Sequence, residues 1–240
     1  MITSEIAKYI DHTLLTPYAT ASDIRMLCQQ AKEHRFAAVC VPPCRVGLAA
    51  SCLRDSSQVA VCTVIGFPLG FSSTAVKVME ARTAVEQGAT EIDMVMNVGA
   101  FKEGDFSHVS GEVNEVVKAV HGRVVKVIIE TGLLTREEIA AVSRLLMETG
   151  ANFIKTCTGY TEKGATVEDI KLIRDIVGDR LRIKASSKIR DYKTALSMIS
   201  AGADRLGTVQ TMKILREEAE ALAAEAPAAE PSVAERGSRR

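Results

Sequence analysis

Short apolar runs alternate along this chain with longer segments in which apolar residues recur every three or four positions. The short runs have the length of β-strands, and the longer segments have the period of amphipathic helices. The pattern predicts eight strands, at Ile10–Leu15, Ala37–Val41, Val59–Ile65, Glu91–Asn97, Val124–Thr131, Phe153–Thr158, Arg182–Ser187 and Arg205–Val209. Clear helical segments lie between them, at Ala21–His34, Ser73–Gln87, Thr135–Thr149, Val167–Val177 and Tyr192–Ser200.

The ends of several predicted helices carry recognisable signals. Thr135 and Thr166 each stand three residues before an acid, which is the pattern of a helix N-cap. Three helices end next to a glycine that is expected to supply a left-handed stop, at Gly88, Gly150 and Gly202. Eight alternations of strand and helix predict an α/β fold, a (β/α)8 TIM barrel, and a doubly wound open sheet is the alternative. No glycine-rich nucleotide-binding motif follows any strand.

The composition of the chain changes near residue 217. Glu217–Glu225 can continue the last helix, whereas residues 226–240 are rich in Ala, Pro, Glu and Ser and end in basic residues. Such a composition is typical of disorder. We therefore expect one barrel domain over residues 1–216, followed over residues 217–240 by a helix extension and a short disordered tail.

Overall composition excludes several classes of protein. The formal net charge of the 240 residues is zero and Trp is absent, so neither a basic field nor a stacking platform indicates nucleic-acid binding. No apolar run reaches the length of a membrane span, and the N-terminus does not resemble a signal peptide. The six cysteines form no CxxC pair, which favours reduced thiols. We expect a cytoplasmic protein.

Ionisable side chains in four successive predicted strands fall on one face only. Residues two apart in a strand share a face, and strands covered by helices are normally apolar on both faces. Here the polar parity carries Glu91, Asp93 and Asn97, then Lys126 and Glu130, then Lys155 and Cys157, and then Arg182, Lys184 and Ser186. The pattern predicts a polar barrel interior that holds Asp93, Lys126, Lys155 and Lys184 together.

Lys155 and Lys184 lie in apolar runs where a charged residue is unusual. A buried ammonium is costly unless it is paired, neutralised or used in chemistry. Burial and a neighbouring cation both lower the pKa of a lysine, and a free amine near neutral pH attacks carbonyl groups. A structural ion pair, such as Lys126 with Asp93, is the alternative. The consistent parity over four strands favours Schiff-base catalysis.

Several long motifs resemble those of one enzyme family, and they follow one another in order from about residue 6 to 215. They are Ile10–Leu15, Ile65–Gly70, Glu91–Ala100, Val125–Thr131, Phe153–Gly159 and Gly164–Asp169. Together they resemble the deoxyribose-phosphate aldolases, which are class I aldolases. The resemblance implies reversible cleavage of 2-deoxy-D-ribose 5-phosphate to acetaldehyde and D-glyceraldehyde 3-phosphate. It also implies a homodimer or homotetramer that needs no metal and no cofactor.

The resemblance implies roles for individual residues. Lys155 matches the lysine that forms the imine, and Lys184 matches the second lysine, whose charge lowers the pKa of the nucleophile. Asp93 matches the acid that shuttles protons through water. Supporting positions are Asp11, Lys126, Thr13, Cys40 and Thr156. The four histidines show no spacing typical of a metal site.

Two loops of the chain depart from the family pattern where the substrate phosphate is expected to bind. The family usually has two glycines where this chain has Ser187 and Lys188, and two serines where it has Val209 and Gln210. Glycine permits close approach and positive φ, so the replacements predict weaker phosphate binding. Lys188 either compensates as a cation or points into solvent. The expected phosphate contacts are Gly159, Ser187, Lys188, Gly207, Val209 and Gln210.

Three functions are therefore compatible with the sequence. The first is an active aldolase acting on the phosphorylated sugar. The second is an aldolase that prefers non-phosphorylated aldehydes, because its phosphate pocket is modified. The third is a catalytically weak relative that binds a metabolite. Retention of the two costly buried lysines argues against the third function.

Overall fold

Eight parallel strands close into a barrel in the computed structural model, which describes residues 4–225. The strands are β1 (Ile10–Thr13), β2 (Ala38–Val41), β3 (Ala60–Ile65), β4 (Glu91–Val95), β5 (Val124–Ile128), β6 (Phe153–Lys155), β7 (Arg182–Ser186) and β8 (Arg205–Thr208). The first strand pairs with both the second and the eighth. The TIM-barrel prediction is confirmed, and the open-sheet alternative is wrong.

Helices cover the outside of the barrel between successive strands. They are α1 (Ala21–His34), α2 (Val46–Cys52), α3 (Thr74–Glu86), α4 (Val98–Lys102), α5 (Phe106–Ala119), α6 (Arg136–Met147), α7 (Val167–Val177), α8 (Tyr192–Ser200) and α9 (Thr211–Glu225). The side chains of Thr135 and Thr166 accept the predicted hydrogen bonds from the third residue of α6 and α7. No helix in the described part of the chain is long and apolar enough to cross a membrane.

Six of the eight strands end earlier than the apolar pattern predicts, whereas β2 and β3 end at the predicted residues. Asn97, expected in the fourth strand, instead caps α4, where its side chain accepts a hydrogen bond from the amide of Ala100. Glu130, expected in the fifth strand, adopts a left-handed conformation with φ of 54°. Both residues therefore leave the period-two alternation, and neither belongs to the interior polar face assigned to it from the sequence.

The prediction of left-handed glycines at helix ends is confirmed at two of three positions. Gly88 and Gly202 have φ of 106° and 111°, but Gly150 does not have a positive φ. After α6 the Thr149 hydroxyl bonds to the carbonyl of Leu146 and accepts from the amide of Ala151, so a side chain closes this end. Gly150 instead permits close packing against α5, because an added Cβ would approach Val117 to 2.7 Å.

Two apolar clusters stabilise the barrel. The larger cluster lies between the sheet and the surrounding helices. The smaller cluster lies inside the barrel on β2 and β3, and Leu15 and Phe67 pack against it; its buried members are Ala38, Cys40, Cys62 and Val64. The interior of the barrel therefore has one apolar wall, formed by β2 and β3.

The last helix passes through residue 216, the boundary expected for the barrel domain. Glu218 on this helix is buried and accepts hydrogen bonds from the Ser4 hydroxyl and, at 3.2 Å, the Ile6 amide. This contact ties α9 to the start of the chain. The expected tail at residues 226–240 lies outside the described residues.

Candidate active site

The strand register brings the predicted catalytic side chains into the barrel interior. Lys155 on β6 lies directly beside Lys184 on β7, and Asp93 on β4 lies beside Lys126 on β5. All four residues are at most 2% exposed. The four side chains therefore lie together on the interior face of the barrel, as the period-two pattern of the strands predicted.

Asp93 is the centre of the resulting charge cluster. Its Oδ2 accepts from Nζ of Lys155 at 2.7 Å and from Nζ of Lys184 at 2.8 Å. Its Oδ1 accepts from Nζ of Lys126 at 2.9 Å. Since one carboxylate links three ammonium groups, each lysine experiences the charge of the other two at short range.

Two further acids and an arginine complete the cluster. Asp11 accepts from Lys184 and, at 2.5 Å, from Nη1 of Arg205. Glu91 accepts from Nη2 of Arg205 at 3.0 Å and pairs with Lys126 at 2.5 Å. Three carboxylates thus face four cationic groups in a nearly sealed interior. The cluster becomes electrically neutral when one of the four cations is a neutral amine.

Lys155 has the fewest carboxylate contacts of the four cationic side chains. Its ammonium contacts Asp93 alone, whereas Lys126 and Lys184 each contact at least two acids. Its side chain is also slightly more accessible, at 3%, than that of Lys184, at 1%. Lys155 is therefore the member of the cluster whose charged form gains least from its surroundings.

The pKa values of Asp93 and Lys184 are shifted strongly in the directions that favour their charged forms. Burial opposes the charge on Asp93, but Lys126, Lys155 and Lys184 outweigh burial and lower the Asp93 pKa well below its usual value. Burial would lower the pKa of Lys184, but Asp11 and Asp93 outweigh it and raise that pKa. The sequence-based expectation that burial lowers the pKa is thus reversed at Lys184, which stays a cation beside Lys155.

Two cysteines join the apolar wall of β2 and β3 to the charge cluster. The Cys62 thiol donates to Oδ1 of Asp93 at 3.1 Å, and burial raises the Cys62 pKa well above its usual value. Interaction with the Cys62 side chain, together with the charges of Lys184 and Lys155, lowers the pKa of Cys40 against the effect of burial. Cys40 therefore lies where its expected supporting role places it, beside the lysine pair.

Two groups of side chains in the described residues are close enough to share a cation. They are Cys40, Cys62 and Asp93, and Asp11, Cys62 and Glu91, with their ligand atoms within 4.8 Å of one another. The carboxylates of both groups already bind lysine or arginine. A divalent ion would have to displace these cations or lie next to them, so the donor set suits ammonium groups better than a metal.

The two supporting threonines act on the backbone. The Thr13 hydroxyl donates to the carbonyl of Asp11 at 2.8 Å, just after the interior aspartate. The Thr156 hydroxyl donates to the carbonyl of Ser186 and accepts from its amide, which joins the ends of β6 and β7. Both threonines fix strand ends that carry charged cluster members.

Similarity to known proteins identifies the family of this chain. A model of the DeoC/LacD aldolase family matches residues 5–224, which is almost all of the described chain. The chain belongs to the DeoC/LacD aldolase family. A deoxyribose-phosphate aldolase from Thermococcus gammatolerans is 52% identical over 218 residues, which cover 90% of this aldolase and 97% of the relative.

Solved structures agree with this assignment. The aldolase QR15 superposes with a TM-score of 0.87 at 42% identity, covering 94% of this aldolase and 100% of that chain. The tetrameric deoxyribose phosphate aldolase of Aeropyrum pernix gives a TM-score of 0.80 at 33% identity, covering 88% and 89%. The similarity therefore extends over the whole barrel and is not limited to the strands that carry the lysines.

The loop after β7 of this aldolase keeps a backbone shape that favours glycine. Ser187 and Lys188 have φ of 79° and 59°, although neither is glycine. An added Cβ on Gly159, in the loop after β6, would lie 3.8 Å from Oγ of Ser187, so the two loops are adjacent. Ser187 and Lys188 therefore occupy positions whose positive φ angles favour glycine.

Lys188 does not point freely into solvent. Its Nζ donates to the carbonyl of Glu162, and its stem packs on Gly164, where an added Cβ would approach the Lys188 stem to 2.8 Å. The side chain thus lies across the loop between β6 and α7. It lines a cavity of about 510 Å³ outside the barrel, which none of the cluster lysines touches.

The expected phosphate contacts at the end of β8 and after it differ in their position relative to the charge cluster. Gly207 belongs to β8 itself, and an added Cβ there would lie 3.2 Å from Cε of Lys184. Val209 and Gln210 are exposed in front of α9, and the Gln210 amide donates to the Thr208 hydroxyl at 2.9 Å. Gly207 therefore makes room for the Lys184 side chain, while only Val209 and Gln210 lie in the loop.

Sequence reasoning missed the importance of Arg205, Glu91 and Cys62. Arg205 is the first residue of β8. Its place in the barrel interior could have been predicted by applying the period-two pattern to that strand as well. His12, on the opposite parity of β1, has both ring nitrogens hydrogen-bonded, to Thr211 and to Gln30, each at 2.9 Å. It faces the helices and takes no part in the cluster.

A smaller cavity of about 160 Å³ lies at the mouth of the barrel, beside the apolar wall. Leu15, Val64, Phe67 and Tyr160 line it, together with Pro42, Pro43, Pro68 and Glu80. Phe67 and Tyr160 meet edge to face, with ring centroids 5.3 Å apart. The entrance to the site is therefore largely apolar on the side opposite the charge cluster.

Proposed function

We propose that this aldolase reversibly cleaves 2-deoxy-D-ribose 5-phosphate to acetaldehyde and D-glyceraldehyde 3-phosphate, through an imine on Lys155. The observation that carries the proposal is the shared contact of Lys155 and Lys184 with one oxygen of Asp93. A second cation held beside an amine favours the neutral, nucleophilic form of that amine. The names of close relatives such as the Thermococcus gammatolerans enzyme support the choice of substrate.

The proposed reaction begins when the Lys155 amine attacks the sugar aldehyde and forms a carbinolamine. Loss of water gives the protonated imine, which withdraws electrons from the carbon–carbon bond to be broken. Cleavage releases glyceraldehyde 3-phosphate and leaves an enamine on Lys155. Protonation of the enamine carbon and hydrolysis of the imine then release acetaldehyde and restore the amine.

Two neighbours of Lys155 are placed to move protons in these steps. Asp93 stays ionised, since three lysines lower its pKa, so it is a weak base and moves protons as part of a relay through water. Lys184 stays charged and contacts the same oxygen of Asp93, so it holds a positive charge next to the reacting amine. We assign Asp93 to proton shuttling, and Lys184 to perturbing the pKa of the nucleophile and to the proton relay.

One feature favours the alternative preference for non-phosphorylated aldehydes. One of the three N–H groups of Lys188 is hydrogen-bonded to the Glu162 carbonyl, and the Gln210 amide is bonded to Thr208, so the Gln210 amide is not free for an anion. The positive φ angles of Ser187 and Lys188 favour the phosphorylated substrate instead, because they preserve the loop shape. Borohydride trapping on Lys155 does not separate these two preferences.

The proposed function is tested by borohydride reduction in the presence of acetaldehyde, followed by peptide mass analysis. We expect the reduced two-carbon adduct on Lys155, and none in Lys155→Met. Lys171→Met, which changes an exposed lysine on α7, should label like the wild type. Labelling elsewhere with Lys155 unmodified would overturn the mechanism, and the absence of any adduct would favour a metabolite-binding relative.

The choice between substrates is tested by kcat/KM for 2-deoxy-D-ribose 5-phosphate and for free 2-deoxy-D-ribose. A large preference for the phosphorylated sugar supports the first function, and equal values support the second. In a variant with Gly at 187 and 188 and Ser at 209 and 210, kcat/KM for the phosphorylated sugar should rise more than for the free sugar. No selective gain would place the phosphate contacts elsewhere.

We further propose that the aldolase forms a homodimer or homotetramer. The Aeropyrum pernix relative is tetrameric. Large apolar side chains are exposed near α3 of this chain, including Leu69, Phe71, Val76 and Met79. Sedimentation velocity at several concentrations tests the proposal, and a single species with the mass of one 25.8 kDa chain would contradict it.

A further inference from the structure

Glu130 is a buried acid that the proposed reaction does not use. It is 2% exposed and lies two residues after the end of β5. Strand β5 pairs with β6, the strand that carries Lys155. Its backbone has φ of 54° and ψ of 65°, a conformation that residues other than glycine avoid. A strained residue that is also a buried carboxylate persists only where the surrounding structure holds it, and such residues concentrate at functional sites.

Every hydrogen bond recorded for the Glu130 carboxylate goes to the loop between β6 and α7. Oε2 accepts from the amide of Thr158 at 3.1 Å and from its hydroxyl at 2.5 Å, and Oε1 accepts from the hydroxyl of Thr161 at 3.0 Å. Within residues 4–225 these donors, and no cation, are its partners. The carboxylate thus holds two points of a loop that begins directly after Lys155.

The same hydrogen bonds fix the position of Tyr160. The Thr158 hydroxyl donates to Glu130 and at the same time accepts from the amide of Tyr160 at 3.1 Å. The Tyr160 hydroxyl then donates to the carbonyl of Leu15 at 2.9 Å, and its ring packs edge to face on Phe67. A continuous set of contacts therefore runs from Glu130 across the mouth of the barrel to the loop after β1.

We propose that Glu130 is a positioning residue that clamps the loop after β6, so that Gly159 and Tyr160 are held over Lys155 when the sugar phosphate binds. This role rests on the proposed function, because it assumes that Gly159 faces the phosphate end of the substrate. Glu130 does not contact the reacting lysine, whose carboxylate partner is Asp93. It acts through the loop and is not a catalytic residue.

The clamp predicts a specific separation between binding and chemistry. The large substrate touches the loop, whereas acetaldehyde needs only Lys155 and its charged neighbours. Loss of the clamp should therefore raise KM for 2-deoxy-D-ribose 5-phosphate by about tenfold, since hydrogen bonds to a charged group are lost. The rate of borohydride trapping with acetaldehyde should stay within about twofold of the wild type, because trapping reports Lys155 alone.

Two variants of Glu130 test the proposal. Glu130→Gln keeps the size of the side chain but replaces one acceptor oxygen by a donor that faces Thr158 or Thr161. Glu130→Gly removes the clamp and places glycine where φ is positive, so the backbone of this variant is favourable. Glu137→Gln, an exposed acid on α6, is the matched control and should leave both measurements unchanged.

Thr161→Val probes the same hydrogen bond from the loop and should raise KM in the same direction as the Glu130 variants. An unchanged KM in a folded Glu130→Gly or Thr161→Val protein would overturn the proposal. So would a fall in trapping rate parallel to the fall in kcat/KM, because Glu130 would then act on the nucleophile. If wild-type protein itself neither traps acetaldehyde nor cleaves the sugar phosphate, the proposed function fails, which is a separate result.

Discussion

Lys155 and Lys184 donate hydrogen bonds to the same oxygen atom of one aspartate, at 2.7 and 2.8 Å. Two ammonium groups on a single oxygen repel each other at short range in an interior from which water is largely excluded. The repulsion is relieved when one of the two gives up its proton. Because Lys184 also contacts Asp11 and Lys155 does not, the positive charge of Lys184 has more carboxylate partners than that of Lys155.

Replacement of Lys184 by leucine should remove most of the activity. We expect kcat/KM to fall at least about a hundredfold, since a charge that favours the free amine and stabilises the reaction is lost. Any residual activity should have its optimum at higher pH, because the ammonium form of the nucleophile is no longer opposed by a neighbouring cation. A pH–rate profile measures both effects, with Lys171→Leu as the exposed control. An unchanged profile at near-normal rate would contradict the role of Lys184.

Acid should destabilise the barrel over a defined pH range. Asp11 and Asp93 have folded-state pKa values below the ordinary value near 3.8, because lysine and arginine charges outweigh burial. The stability they contribute is therefore present above about pH 4 and is lost as pH falls through their folded-state pKa values. Below about pH 4 the free energy of unfolding should fall by up to about 2.7 kcal/mol per pH unit for the two groups. Urea unfolding between pH 6 and pH 3 measures the slope, and a flat profile below pH 4 would be inconsistent with it.

Glycine at position 187 should stabilise the protein. Ser187 holds φ of 79°, which costs a residue with a Cβ about 1 kcal/mol relative to glycine. Ser187→Gly should therefore increase the free energy of unfolding by about this amount. Ser197→Gly inside α8 is the matched control and should decrease it by about 1 kcal/mol. Chemical denaturation measures the free energy of unfolding of both variants. Equal decreases in the two variants would mean that the backbone of Ser187 is not strained.

The effects of replacing Arg205 and Glu91 on the free energy of unfolding should be strongly coupled. Arg205→Met removes one cation from the buried cluster and leaves Glu91 with Lys126, and Asp11 with Lys184 and Lys126, as their remaining partners. Breaking a buried ion pair by removing one partner costs about 3–5 kcal/mol. Adding Glu91→Gln to this variant should recover part of the loss, because it removes a buried negative charge that Arg205 had balanced. A double-mutant cycle measured by denaturation should give a coupling of about 1–3 kcal/mol. Simple additivity of the two losses would show that the pair is not cooperative.

The fold and the centre of the site followed from periodicity. Period-two alternation on β4 to β7 predicted that Asp93, Lys126, Lys155 and Lys184 share an interior, and the register brings them together. Long strand-and-helix repeats are a robust signal because they depend on burial along whole elements. Arg205 obeys the same rule on β8 and was missed because the parity argument stopped at β7.

The parts that the sequence did not predict depend on single backbone angles. Glu130 leaves the alternation through one left-handed residue, and its partners lie 28 and 31 positions away. Ser187 and Lys188 adopt angles that their own side chains disfavour, because neighbouring loops determine them. No local pattern encodes such choices, since they arise from tertiary contacts that compete with local preference.

The cluster also determines when the site can form as the chain is made. Asp11 is among the first residues synthesised, yet its partners Lys184 and Arg205 follow 173 and 194 positions later. Until β7 and β8 leave the ribosome, Asp11 lacks both cations that bind it by hydrogen bonds, and of its partners only the more distant Lys126, at 3.8 Å in the folded barrel, has been made. Its carboxylate then depends on hydration for stability. Such long-range closure is slow compared with helix formation. A nascent chain that already has six strands therefore has no catalytic centre, and activity appears only when the last strand joins the first.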